Sequence, residues 1–139
     1  MPTPQEIAQL LVCSWTLADP SRRRMPVSNG VLDKALKAAV NDGLVPDWAK
    51  ASLHFAETRV GLRCIELPDI LEWAQLSELT TSPNPSYRYA EVQVDQKTAR
   101  RIIGWLSLSE HEAELLGRRI QQATGSEAAI NADATTATA

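Results

Sequence analysis

The sequence predicts a helix-rich α+β single domain with a small antiparallel sheet or hairpin packed on helices; a winged-helix arrangement is the alternative for its N-terminal half. Three observations carry this. Six segments repeat apolar residues at helical spacing, two short stretches alternate apolar and polar residues, and 139 residues, 44% of them apolar, suit one core.

The first helix is predicted over residues 4–17, where Ile7, Leu10, Leu11 and Trp15 share a face. Pro4 suits its first turn, and Asp19 before Pro20 marks its stop, because the residue ahead of a proline avoids helical angles. Ser21 to Pro26 sets Arg22, Arg23 and Arg24 between two prolines and reads as an irregular, exposed basic loop. Ser28 or Asn29 then caps a helix with Leu32, Ala35, Leu36, Ala39 and Val40 inward and Gly43 as its stop. Pro46 opens a shorter helix through about His54 with Trp48 and Leu53 facing the core, although Leu53, His54 and Phe55 also alternate as a strand would.

From Thr58, Val60, Leu62 and Cys64 alternate with Arg59, Gly61 and Arg63, the pattern of a half-buried strand. Pro68 and Asp69 start a helix whose Ile70, Leu71, Trp73, Ala74, Leu76 and Leu79 are apolar around too much of the circumference for one neighbouring layer to cover. Tyr87 to Val94 is a strand with Ala90, Val92 and Val94 on one face and Tyr87 and Tyr89 on the other. Asp95 caps a helix buried along Ala99, Ile102, Ile103 and Leu106, and Ser109 with Glu112 forms the capping box of a last helix ending at Gly125. The chain therefore divides into a helical or winged-helix-like half over 1–79, a Pro-rich connector over 80–86, a strand with two helices on the same core over 87–125, and a disordered tail over 126–139.

Every apolar stretch is interrupted before the roughly 18 residues that span a bilayer, and the first 21 residues carry no Lys or Arg, so a soluble cytoplasmic protein away from membranes is expected. Cys13 and Cys64 lack metal or redox spacing and read as buried thiols. No cofactor or metal is expected. His111 has carboxylate neighbours, but a zinc helix needs a second histidine one turn on, where the chain has Leu115. A phosphate cradle finds no glycine motif, and a pairing of His54 with a cysteine is opposed by the apolar setting of both thiols. An enzyme ranks third among the functional classes.

Binding ranks above catalysis. Residues 1–64 hold eight Lys or Arg against six Asp or Glu, while residues 65–139 hold six against eleven. A DNA-binding winged helix would use the basic half through Arg22, Arg23, Arg24, Lys50, Arg59 and Arg63, but Asp42, Asp47 and Glu57 lie among these cations. The favoured expectation is a non-catalytic regulatory or adaptor protein that binds a protein partner or itself. Trp105 lies off the apolar stripe of its helix, and with Tyr87, Tyr89, Arg88 and Arg101 it would supply the contact surface.

Overall fold

The computed structural model describes residues 3–27, 30–81 and 88–138, with side chains as far as Gly125. Its elements run α1 (Pro4–Ala18), β1 (Arg24–Pro26), α2 (Val31–Asn41), α3 (Asp47–Lys50), β2 (Phe55–Thr58), β3 (Gly61–Cys64), α4 (Leu67–Leu76), β4 (Tyr89–Glu91), α5 (Gln96–Trp105) and α6 (Glu110–Thr138). This is the helix-rich α+β domain that the spacing predicts.

α1 is the centre of the fold. Thr3 and Glu6 close a capping box over its N-terminus, and from Ile7 to Leu17 every residue but Gln9 is buried, because α4, α5 and α6 pack around it. The Trp15 indole N–H donates to the Arg22 carbonyl at 2.7 Å, and the Gln121 side-chain amide donates to the Trp15 carbonyl at 2.9 Å. Two polar groups that burial would leave unpaired thus tie α1 to the basic segment and to α6. One apolar cluster joins Leu11, Trp15, Leu36 and Ile70 to Val92, Ile103, Leu116 and Ile120, so the residues on both sides of the connector share it.

The strands form two separate antiparallel pairs. β1 lies on β4 with Met25 opposite Ala90, and Thr80 bridges to Val92. The expected basic loop over Ser21–Pro26 is corrected here: its last three residues are strand β1, and Met25 is wholly buried. That pairing joins positions more than sixty residues apart, which no local pattern displays. β4 is shorter than the strand expected through Val94, but Ala90 within it and Val92 and Val94 beyond it are buried as the alternation predicts.

β2 and β3 are a hairpin, with Phe55 opposite Cys64 and Thr58 opposite Gly61. Arg59 and Val60 make its turn, where Thr58 Oγ1 donates to the Gly61 carbonyl and accepts from the Val60 N–H. Val60 is therefore 72% exposed at the tip instead of belonging to the strand's inner face, while Cys64 is buried as expected. Lys37 sits over the Phe55 ring, and Asp33, buried in the first turn of α2, accepts the Cys64 N–H at 2.7 Å.

The third helix is one turn, not the two expected through His54, because the alternation at Leu53 to Phe55 leads into the hairpin. α3, the expected second member of a helix-turn-helix, spans only Asp47–Lys50. α2 is capped by Gly30 at φ 75°, and the predicted caps Ser28 and Asn29 lie outside the described residues. The α6 backbone continues through Gly125, its expected stop, since one helical glycine costs about 1 kcal/mol relative to alanine without breaking the hydrogen-bond ladder. Of the connector only Thr80 and Thr81 are described, and the expected tail over 126–139 lies outside the residues with described side chains.

Among the described residues three carboxyls sit below their ordinary range. Hydrogen bonds from the Ser21 side chain and backbone hold Asp19 down, and the backbone N–H of Thr98 does the same for Asp95 at the N-cap of α5. Burial pulls Glu66 up, but hydrogen bonds from the His54 N–H and imidazole outweigh it. A carboxyl lower in the folded than in the unfolded chain adds stability that is complete above its unfolded value and disappears as pH falls through the folded one. Urea midpoints are therefore expected to decline from about pH 5 towards pH 3, modestly because these groups are solvated. A flat profile there would contradict the assignment.

Candidate functional site

The site grows from the end of α5. Ile102 and Ile103 turn into the core, which leaves Trp105, the last helical residue, 69% exposed. The chain then leaves through a helix stop in which the Ser107 N–H donates to the Gly104 carbonyl and the Leu108 N–H to the Ile103 carbonyl. Ser107 stands at φ 61°, in the left-handed region where such a stop usually has glycine. Two residues on, Ser109 and Glu112 close the predicted capping box of α6, with bonds of 3.0 and 3.2 Å.

Beside Trp105 lies an open cleft of about 440 Å³. Leu106, Ser107, Leu108 and Glu112 form its wall on the α5–α6 side, Pro46 and Trp48 come from the start of α3, and Glu6 comes from the first turn of α1. Two indoles, a proline and two leucines line it together with Ser107 and two carboxylates, so its walls are mixed and carry negative charge. The Arg101 guanidinium, one turn before Trp105, lies 5.8 Å from its ring centroid.

The predicted contact residues divide. Trp105 and Arg101 stand together on α5, and Trp105 lines the cleft. Tyr89 is half-buried on β4 beneath the Arg24 guanidinium, 4.8 Å from its ring centroid, and the neighbouring Arg88 is exposed. Tyr87 lies outside the described residues. Trp48, expected in the core, is half-buried and lines the cleft; Pro46 and Glu112 were read only as parts of helix starts, and Glu6 was not singled out.

The predicted basic residues come from several elements. Arg23 donates to the Pro20 and Val94 carbonyls, Arg24 covers Tyr89, and Arg63 donates to the Leu62 carbonyl while resting against Gly30. Arg22, Lys50 and Arg59 are exposed, on the approach to β1, the last turn of α3 and the hairpin tip.

His54 and Cys64 come near one another, but through Glu66. The carboxylate is 2.8 Å from His54 Nδ1 and 3.9 Å from Cys64 Sγ. Burial, with Glu66 and Asp33 close by, pushes the Cys64 thiol up to about 11, and burial pushes Cys13 to about 12. Both are buried free thiols, as the apolar setting predicts. A disulfide reagent at pH 8 is expected to leave both unmodified in the native chain and to titrate both in denaturant. Rapid native labelling of Cys64 would refute this picture of its environment. Among the described residues no group of three or more His, Cys, Asp or Glu is placed to hold a metal ion, and no helix is long and apolar enough to cross a membrane.

No protein-family model, curated protein or solved structure matches this chain.

Proposed function

We propose that the chain is a non-catalytic regulatory or adaptor protein that docks on another protein, or on a second copy of itself, with Trp105 as its anchor. The observation that carries the reading is the 69% exposure of Trp105, which lines an open cleft of mixed polar and apolar character. A large aromatic held at the end of a packed helix presents contact area at little cost in side-chain entropy, and tryptophan is among the residues that dominate association energies. Trp73 and Leu76 on α4 are also exposed. Two buried free thiols suit a reducing compartment, and a cytoplasmic setting is part of the proposal.

The test compares wild type with Trp105→Ala for partner retention on co-purification from source cells and for self-association by light scattering. Loss of a defined complex in the variant, at an unchanged melting midpoint, supports the reading. A complex that survives the substitution refutes it.

A further inference from the structure

We infer that the cleft between Trp48 and Trp105 takes an arginine or lysine side chain presented by a basic segment of the docking partner. The inference rests on the docking reading and adds the chemistry of what enters.

Two indoles line the cleft, and an aromatic ring attracts a cation through its quadrupole, tryptophan most strongly. Pro46 and Leu108 line the same space and suit the methylene stem of a long basic side chain. The charge at the cleft has the complementary sign. Glu6 Oε1 accepts from the Thr3 N–H at 3.3 Å and Glu112 Oε1 from the Ser109 N–H at 3.2 Å, so the two caps fix both carboxylates in place. The Oε2 atom of each has no hydrogen-bond partner among the described residues.

Neighbouring charges offset them only in part, the exposed Arg101 on Trp105 being the opposing cation. Asp47 adds a further negative charge beside Trp48, and Arg100 is committed to Glu110 at 2.9 Å. The positive ends of α1 and α6 reduce the field of Glu6 and Glu112, but each amounts to about half a charge against a full one. A space of about 440 Å³ accommodates a side chain with its flanking backbone. The chain's net charge of −3 favours approach by a basic segment.

The probe is the blocked peptide Gly-Arg-Gly-Arg-Gly, with citrulline replacing arginine as the neutral isostere, read on the indole N–H resonances of Trp48 and Trp105 in the full chain. Saturable shifts at both indoles are expected from the arginine peptide, with binding at least fivefold weaker for the citrulline peptide. Glu6→Gln combined with Glu112→Gln keeps an acceptor for both capping boxes while removing both charges. It is expected to weaken the arginine peptide at least threefold, with a cooperative melt lowered only by the loss of two charges at helix N-termini. Equal binding of the two peptides, or no shift at either indole, overturns the inference. If that happens while Trp105→Ala still dissolves the partner complex, the cation assignment alone fails and the docking reading stands.

Discussion

Gly117→Ala is expected to destabilise the chain by about 3 kcal/mol, the upper part of the range for overpacking a tight interior. In an ordinary helix the same change stabilises by up to about 1 kcal/mol, so packing must overcome a propensity gain before it shows. Gly117 lies where α6 crosses α1, and a Cβ there would meet the Ser14 carbonyl group and come within 2.9 Å of the Ala18 Cβ. Neither neighbour is the end of a flexible side chain, so relief requires the helices to part. Leu11, Trp15, Leu116 and Ile120 pack around this crossing and would lose contact together. Gly104, on the exposed side of α5 with nothing within 4 Å of the place a methyl group would take, is the control, and Gly104→Ala is expected to raise the urea midpoint. A Gly117→Ala chain as stable as wild type would show that the crossing is looser than described.

Trp105→Ala is expected to change folding stability by no more than about 0.5 kcal/mol while weakening partner binding about thirtyfold, the loss of an interface hot spot worth some 2 kcal/mol. Trp15 offers the contrast within one residue type. It is buried at the centre of α1, with its indole N–H bonded to Arg22, and Trp15→Ala should cost about 3–5 kcal/mol. Paired urea melts and binding titrations separate the two roles. Loss of the cooperative transition in Trp105→Ala would place Trp105 in the core and remove the proposed anchor.

The helices were legible where burial and capping agree locally. Thr3 and Glu6, Asp95, and Ser109 with Glu112 cap where structure and sequence both place helix starts, and Ile7 to Trp15 or Ile102 and Ile103 mark the buried faces. Gly43 announces the stop of α2, but α4 and α5 end in the same bonding pattern with Glu78 and Ser107 in left-handed conformations, so no glycine signals those stops. β1 was hidden because Met25 gains its burial from Ala90, across a separation that a window of neighbours does not span. The hairpin reads as one strand in sequence because Val60 continues the alternation through what is a turn.

At the site, the sequence displays Trp105 as an aromatic off its stripe, which is a local property. The cleft was not legible, since Glu6, Trp48 and Glu112 meet only after α1, α3 and α6 pack. Glu6 and Glu112 were also masked by a second role, because a carboxylate in a first helical turn is already accounted for by capping.

The most direct test places a photo-reactive azidotryptophan, which keeps the indole ring, at position 105, and in a separate chain at position 60, and irradiates both in source cells. Val60 is as exposed as Trp105 but sits on the hairpin tip, away from the cleft-lining residues in sequence and secondary structure. The account predicts a discrete conjugate from position 105, with a partner protein or a second copy of the chain, that excess unlabelled wild type suppresses. Position 60 should give none. Conjugates equal in pattern and yield from the two positions, or none from position 105, would contradict it.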